Sequence, residues 1–205
     1  MLVLDKSGSI QSSGQTETVR NATRAFLDAL SGTGAKVSIV DFSSTAARPV
    51  GYTTVTPASI AGTFEPYLVN GYKPSGYTNW EAAFQKVREA NTQKPVADLV
   101  VFITDGDPTA RNTATGQQTG LPEGDVTAMR PAATQADLVK GQADKEATTR
   151  LADKVAALTG IDQAVSRRLA GRFEVGEFRR EFDRRNGRVT GRYDASVSGF
   201  DPYPD

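Results

Sequence analysis

Oxygen-bearing side chains alternate along one short stretch near the start of the chain. The segment Asp5-Lys-Ser-Gly-Ser places one carboxylate and two hydroxyls at every second position. Alternate side chains of an extended backbone point the same way, and Gly8 permits the turn that would aim them together. Carboxylate and hydroxyl oxygens are hard ligands that suit Mg²⁺ or Mn²⁺ better than zinc or copper. Asp5, Ser7 and Ser9 therefore predict a divalent-cation site.

Two apolar runs are the elements that would position such a site. Residues 2–4 are continuously apolar, which is typical of a strand buried on both faces of a parallel sheet. The run Leu99-Val-Val-Phe-Ile is longer, rich in β-branched residues and followed closely by Asp105. Ligands of open parallel sheets bind outside the carboxyl ends of the strands. We therefore expect Asp5 and Asp105 at the same edge of one sheet, each after a buried strand.

Helical and strand patterns alternate between these two runs. After a polar loop over residues 11–15, Val19, Phe26 and Leu30 recur at helical spacing until the glycines at 32 and 34 end the helix. Residues 36–44 predict a second strand, and residues 46–56 predict a short strand or sheet edge with a helix opening near Pro57. This order predicts an α/β fold, an open, mostly parallel, Rossmann-like sheet flanked by helices.

A turn-rich loop precedes the next predicted helix. The loop Pro74-Ser-Gly-Tyr-Thr-Asn-Trp leads into residues 81–90, where Ala82, Phe84 and Val87 suit a helix packed on the sheet. Thr78 therefore lies in a loop immediately before a helix. Its hydroxyl is of the same chemical kind as those of Ser7 and Ser9.

Composition excludes several classes of function. The chain has 205 residues with no cysteine and no histidine, so disulfides, thiolate chemistry and histidine-dependent triads are absent. These absences argue against most hydrolases, and we expect a binding module rather than an enzyme. The net charge is zero, so the chain as a whole has no electrostatic attraction to nucleic acid or to a membrane, and a nucleic-acid partner is not expected. No apolar stretch reaches the length of about 20 residues that spans a membrane. No signal peptide is recognisable before the first strand, and neither the oligomeric state nor the compartment can be read from the sequence.

Three segments together resemble a known family. Asp5-Lys-Ser-Gly-Ser, the Gly-Tyr-Thr-Asn loop around Thr78, and Ile103-Thr-Asp-Gly-Asp-Pro-Thr resemble, in order and separation, the von Willebrand factor A domain with its metal-ion-dependent adhesion site, or MIDAS. The resemblance extends from residue 1 to about residue 140, and we assign residues 1–142 to this domain. It implies a five-residue metal site made of Asp5, Ser7, Ser9, Thr78 and Asp105.

The same resemblance implies a mode of action. In that family Mg²⁺ is bound with one coordination position open for an Asp or Glu side chain of a protein partner; here Mn²⁺ or Ca²⁺ is possible as well. A site with few direct charges leaves the cation electrophilic, which agrees with this role. The resemblance thus implies a cell-adhesion, protein-binding module at the cell surface or secreted.

Other polar and aromatic residues lie close to these segments in sequence. Asp41 and Asp107 are interpreted as turn or capping groups rather than ligands, and Lys6 is expected to point to solvent. Tyr77 and Trp80 flank Thr78, where they would either contact a partner or pack beneath the loop.

The chain departs from the family pattern after Thr109. Residues 110–124 are polar and rich in Gly, Thr and Gln, which predicts a loop, and residues 132–140 predict a short helix. The resemblance implies two further apolar strands, but residues 141–146 read Gly-Gln-Ala-Asp-Lys-Glu instead. We therefore expect the strand at Leu99 to form an exposed sheet edge.

Residues 143–205 are predicted to form a helical, arginine-rich extension. Between Arg167 and Arg192 there are nine arginines against four acidic residues. Three short helices are predicted from the apolar spacing of Leu151, Val155 and Leu158, of Val165 and Leu169, and of Val175, Phe178 and Phe182.

Three segments of this extension carry a second resemblance: Leu158-Thr-Gly-Ile-Asp, Phe173-Glu-Val-Gly-Glu-Phe-Arg-Arg-Glu-Phe and Gly187-Arg-Val-Thr-Gly-Arg-Tyr. They resemble an insertion segment of bacterial serine carboxypeptidase-like proteins, a match that carries no catalytic residue. The two resemblances together suggest a chimera joined near residue 142, natural or made. The alternatives to an adhesion module are a fragment or chimera without autonomous function, or a hydrolase remnant lacking catalytic residues.

Overall fold

The main sheet has four strands, and the chain's first segment lies in its interior. The computed structural model describes residues 1–93, 95–159, 178–183 and 188–193. The four strands are β1 (Leu2–Asp5), β2 (Lys36–Phe42), β3 (Ala46–Thr54) and β4 (Val101–Ile103). Their order is β3-β2-β1-β4; β1 pairs in parallel with β2 and β4, and β3 runs antiparallel to β2. The predicted mostly parallel α/β sheet is confirmed.

Helices flank this sheet. They are α1 (Gly8–Ser12), α2 (Thr16–Leu30), α3 (Pro57–Ser59), α4 (Trp80–Ala90) and α5 (Val126–Thr159), with π-helical turns at Ile60–Phe64 and Tyr67–Gly71. Helix α2 ends where Gly32 and Gly34 adopt positive φ angles of 78° and 80°, a conformation that glycine reaches without steric cost. Helix α4 begins at a side-chain cap, since Asn79 accepts a hydrogen bond from the Ala82 N–H.

Alternate residues of β1 face two separate apolar clusters. Leu2 and Leu4 pack with Leu27 of α2 on one face. Val3 packs with Ala83 and Val87 of α4 on the other. All four residues of β1 are buried, as the continuous apolar run predicts. Strand β1 is thus held on both faces and both edges, which gives the loop after Asp5 a rigid base.

Two predictions in this first region need correction. Residues 8–12 form helix α1 where a loop over residues 11–15 was expected, because Ile10 is 1% exposed and anchors a short helical turn. Strand β4 begins only at Val101 and is partly buried, while Leu99 is 63% exposed. In the described residues β4 has a sheet neighbour on one side only, so its burial is incomplete.

The expected loop over residues 110–124 contains an antiparallel pair of strands. Strand β5 (Ala110–Thr113) pairs with β6 (Gly116–Thr119) in a separate two-stranded sheet. Every residue of β6 is exposed, so no apolar alternation marks it as a strand. Its backbone pairing with β5, and the burial of Ala110, define it instead.

The short helix predicted over residues 132–140 is part of the much longer α5. This helix begins at Val126 and continues through Gly141 to Thr159. A glycine inside a helix costs only about 1 kcal/mol relative to alanine, which is too little to end one. The helix predicted around Leu151, Val155 and Leu158 is confirmed as its last turns. No helix of the described residues is long and apolar enough to cross a membrane.

The chain divides into two compact units, Met1–Ala143 and Asp144–Asp205. In the second unit the helix predicted at Phe178 and Phe182 is wrong, because β7 (Phe178–Asp183) pairs antiparallel with β8 (Arg188–Tyr193). Two apolar residues four positions apart share one face of a helix and also one face of a strand, so their spacing could not distinguish the two. Val165, Leu169 and Val175 lie outside the described residues.

Candidate metal site

The carboxyl ends of β1 and β4 lie side by side. Leu4 is in register with Ile103 across the parallel pair, so Asp5 and Thr104 follow at neighbouring strand ends. Two hydrogen bonds there join residues that are far apart in the sequence. Thr104 bonds to Asp5, 99 positions away, and Ser9 bonds to Asp105, 96 positions away. The expected meeting of Asp5 and Asp105 at one sheet edge is therefore observed.

Asp5 is fully buried and held at both carboxylate oxygens. Its Oδ1 accepts a hydrogen bond of 2.7 Å from the Ser7 N–H, and its Oδ2 accepts one of 2.7 Å from the Thr104 hydroxyl. Burial raises the pKa of Asp5, the hydrogen bonds from Ser7 and Thr104 oppose that shift, and the nearby charge of Asp105 adds to it. The carboxylate is thus fixed in position by neutral donors, without a cationic partner among the described residues.

The two serines connect Asp5 to Asp105. Ser7 Oγ and Ser9 Oγ are 2.9 Å apart, and the Ser9 hydroxyl donates a hydrogen bond of 2.9 Å to Asp105 Oδ1. Ser7 is buried, whereas Ser9 and Asp105 are exposed. Four of the five predicted ligands therefore lie in one chain of contacts that runs from the buried end of β1 to solvent.

Thr78 lies in a loop that is tied to both of the other segments. The Gly8 N–H donates to the Gly76 carbonyl at 2.8 Å, and the Ser75 N–H donates to the Lys6 carbonyl at 2.8 Å. The Thr78 carbonyl accepts a hydrogen bond of 2.9 Å from the Thr109 N–H. Thr78 is 5% exposed, and these described links run through backbone atoms rather than through its hydroxyl.

Gly76 makes this approach of loops possible. Its φ angle is 84°, in the left-handed region that favours glycine. A Cβ atom at this position would lie 2.9 Å from Ser44 Oγ. The loop that carries Thr78 therefore requires glycine here, both for its backbone angle and for the space beside Ser44.

Three residues support the site but were not predicted. The hydroxyl of Thr104 binds Asp5 Oδ2, and the buried phenol of Tyr72 donates to the Asp5 carbonyl. Buried Asn79 donates from Nδ2 to the Ser44 carbonyl and to Asn112 Oδ1, both at 3.0 Å, which holds the start of α4 in place. Thr104 and Asn79 each adjoin a predicted ligand in sequence, a signal that could have found them; Tyr72 had none.

The environments of Lys6 and Asp41 differ from those predicted from the sequence. Lys6 Nζ lies 3.0 Å from Asp41 Oδ2, and the Tyr67 hydroxyl donates to the same oxygen at 3.0 Å. Asp41 is an interior residue of β2 with a side chain 3% exposed, so it is neither a turn nor a capping group. Lys6 therefore points to this buried carboxylate instead of to solvent, because a buried charge requires a partner.

Of the two aromatic residues that flank Thr78, one packs beneath the loop and the other is exposed. Trp80 packs edge-on against Phe102 with ring centroids 5.9 Å apart, and its Nε1–H donates to Thr104 Oγ1 at 3.4 Å. Tyr77 is 46% exposed beside the site. Asp107 is exposed in the segment after β4. Trp80 thus packs beneath the loop, and Tyr77 is available at the surface.

The donor set fits a hard divalent cation. Among the described residues, no cationic side chain forms a hydrogen bond or ion pair with Asp5 or Asp105, although both carboxylates belong to one network. The chemistry of carboxylate and hydroxyl oxygens suits Mg²⁺. In the described part of the chain, no group of three or more His, Cys, Asp or Glu residues could hold a metal ion. Metal binding at this edge would therefore depend on the hydroxyls as well as on the two carboxylates.

The fold and site define an α/β domain with an oxygen-rich edge built from three loops. Residues 1–107 match the family model of the von Willebrand factor type A domain, and the chain belongs to that family. This result confirms the resemblance to the A domain. No curated protein matches the chain. The resemblance of the C-terminal segment to carboxypeptidase-like proteins stays a prediction.

Several solved structures are similar to the chain. The pilus adhesin SpaC of Lactobacillus rhamnosus GG is 19% identical with a TM-score of 0.54, over 68% of this chain and 22% of that one. The minor pilin PilB of Streptococcus sanguinis is 16% identical with a TM-score of 0.52, over 67% and 45%. The vWF domain of the pili tip protein Mfa5 of Porphyromonas gingivalis is 16% identical with a TM-score of 0.45, over 56% and 41%. The chain thus spans less than half the length of each.

Proposed function

We propose that this chain is a protein-binding, adhesion-type module that acts through a bound Mg²⁺. The metal ion would be held by Asp5, Ser7, Ser9, Thr78 and Asp105, and an Asp or Glu side chain of a protein partner would complete its coordination. The supporting observation is the network that joins Asp5 to Asp105 without any cationic partner among the described residues. A divalent cation would neutralise these two carboxylates.

The exposure of the site supports an external partner. Asp5 and Ser7 are buried, whereas Ser9 and Asp105 face solvent, so another protein can reach the network from one side only. When bound, Mg²⁺ would supply an electrophilic centre for an incoming carboxylate. Tyr77, which is 46% exposed, offers an adjacent aromatic surface for the same partner.

The setting proposed for this module is the cell surface or the extracellular space. SpaC is a pilus adhesin and PilB a minor pilin, and both share the fold of this chain. Their identities of 19% and 16% support a common architecture, not a common partner. The proposed metal-dependent binding therefore rests on the chemistry of this chain's own site. The similar structures support only the proposed setting, a surface protein.

Isothermal titration with Mg²⁺ tests the metal site. We expect saturable binding by the unaltered chain and loss of binding in Asp105→Ala. Because the Asp105 side chain is exposed, this substitution should not unfold the chain. Asp107→Ala is the matched control, since this exposed carboxylate lies two positions away and should leave binding unchanged. Asp5→Ala should also abolish binding, with circular dichroism to verify its fold. Equal, negligible heats for all four proteins would refute the site.

A pair of peptides tests the acidic partner. A short peptide with one Glu side chain and blocked termini should shift the NMR signals of Ser9 and Tyr77 in Mg²⁺ but not in EDTA. The peptide with Gln in place of Glu should cause no shift under either condition. Equal shifts with both peptides would show that the metal does not select a carboxylate.

The alternatives make different predictions. A fragment without autonomous function would show no cooperative thermal transition, whereas the adhesion module requires one. A hydrolase remnant is tested by ester and peptide turnover, and we expect none because the chain has no histidine and no cysteine.

A further inference from the structure

An apolar groove lies between helix α4, strand β4 and helix α5, and Thr104 is one of its lining residues. Its volume is about 530 Å³. The floor is aromatic, since the Phe84 and Phe102 rings stack with centroids 4.7 Å apart and Trp80 meets Phe102 edge-on. Helix α5 contributes small side chains, among them Ala133, which leave the groove open. Three rings and a row of small residues thus form a surface that favours an apolar ligand.

One charged residue lines this groove. Arg130 is the single ionisable side chain among its lining residues, and no carboxylate lies there. Within the described residues the Arg130 guanidinium takes part in no hydrogen bond or ion pair, in contrast to Arg20 and Arg24, which bind carboxylates. A planar guanidinium beside an apolar cavity is complementary to a carboxylate, because it presents two parallel N–H donors.

We propose that this groove binds a small amphipathic monocarboxylate. Its alkyl or aryl part would pack against Trp80, Phe84 and Phe102, and its carboxylate would pair with Arg130. The volume lies within the range of about 300–1,000 Å³ that is usual for small-molecule sites. Arg130 is exposed, so water solvates its guanidinium in the free chain. A neutral ligand would gain no charge-assisted contact with it, and a cationic ligand would be repelled by it. The proposal does not depend on the metal site.

Tryptophan fluorescence provides a direct test, since Trp80 is the only tryptophan of the chain. The full chain is titrated with decanoate, below its micelle concentration and in EDTA so that divalent metals play no part. We expect a saturable change in emission. Arg130→Gln should weaken binding about tenfold, as the loss of one charge-assisted hydrogen bond predicts. Arg48→Gln is the control; it removes an arginine of β3 that does not line the groove and should leave the affinity unchanged.

A neutral ligand and a filled groove complete the design. Decanol should bind the unaltered chain as weakly as decanoate binds Arg130→Gln, and Ala133→Phe should block decanoate. Thermal melting monitored by circular dichroism verifies that each variant folds. Equal affinities for decanol and decanoate, or no effect of Arg130→Gln, would overturn the carboxylate assignment. Absence of any saturable change, in fluorescence and in calorimetry, would overturn the site. A dimer that Ala133→Phe dissociates would assign the groove to a second copy and also overturn the proposal.

Discussion

The Thr104 hydroxyl donates a hydrogen bond of 2.7 Å to Asp5 Oδ2 across the parallel pair β1 and β4. This bond joins the two strand ends that carry the candidate ligands. It also satisfies the carboxylate oxygen of Asp5 that the Ser7 N–H does not reach. Thr104 therefore positions Asp5 without being one of the proposed metal ligands.

We predict that Thr104→Val weakens Mg²⁺ binding about tenfold and lowers the free energy of unfolding by about 1 kcal/mol, because the buried Asp5 Oδ2 loses its donor. Calorimetry and urea unfolding measure the two effects. Thr92→Val is the control, since among the described residues its exposed hydroxyl bonds to the carbonyl of Glu89 at the end of α4, away from the site. Unchanged metal affinity in Thr104→Val would show that Asp5 is positioned by other contacts.

Two buried tyrosine hydroxyls should respond differently to removal. The Tyr72 hydroxyl donates to the Asp5 carbonyl, whereas the Tyr52 hydroxyl is buried with no hydrogen-bond partner in the described structure. We expect Tyr72→Phe to cost about 1–2 kcal/mol of unfolding free energy and Tyr52→Phe to be neutral or slightly stabilising. Urea unfolding of the two variants beside the unaltered chain measures this, and equal losses in both would contradict the assigned contact.

The Lys6–Asp41 pair should stabilise the loop that follows β1. Lys6→Met leaves the nearly buried Asp41 carboxylate with the Tyr67 hydroxyl as its one remaining side-chain partner in the described part of the chain. We expect a loss of about 2 kcal/mol, less than for a fully buried pair, because the Lys6 side chain is 26% exposed. Chemical unfolding at neutral pH measures the loss.

Two further variants isolate the charge effect at this pair. Lys6→Met combined with Asp41→Asn should be more stable than Lys6→Met alone, since the amide removes the unpaired charge but still accepts from Tyr67. Lys86→Met, which removes an exposed helical pair with Glu89, should cost no more than about 0.5 kcal/mol. If the double variant is no more stable than the single one, the loss in Lys6→Met arises from packing.

The Arg24–Glu65 pair predicts a small dependence of stability on pH. Hydrogen bonds from Arg24 lower the pKa of Glu65 below its ordinary value of 4.5. Because the folded-state pKa is the lower one, the stabilisation is present above pH 4.5 and is lost as pH falls through the folded pKa. The two side chains are 30% and 36% exposed, so solvent screens the pair and its contribution should be at most about 1 kcal/mol. Glu65→Gln should reduce stability at pH near 7 but not at pH near 3; an equal difference at both would contradict it.

The fold was predictable wherever burial leaves a pattern in the sequence. Strand β1 is buried on both faces and its apolar run is continuous, and Gly32 ends α2 through its backbone angle. Strand β6 is fully exposed, so it has no such pattern. The four-residue spacing of Phe178 and Phe182 fits both the helical period of about 3.6 residues and the strand period of about 2. Where a helix and a strand would bury the same side chains, or would bury none, the sequence does not indicate which of the two forms.

Local spacing alone determined part of the candidate site. Alternation after an apolar strand selects Asp5, Ser7 and Ser9, and the rule for strand ends adds Asp105. Thr78 was added to the set by the family resemblance.

The tertiary structure decided which groups hold these residues in place. Thr104 and Tyr72 reach Asp5 from 99 and 67 positions away, and Lys6 reaches Asp41 across neighbouring strands. The direction of a side chain along one strand follows from its neighbours in sequence, so spacing reveals it. The identity of the group it meets depends on which strands and loops pack together, and only the folded chain contains that information.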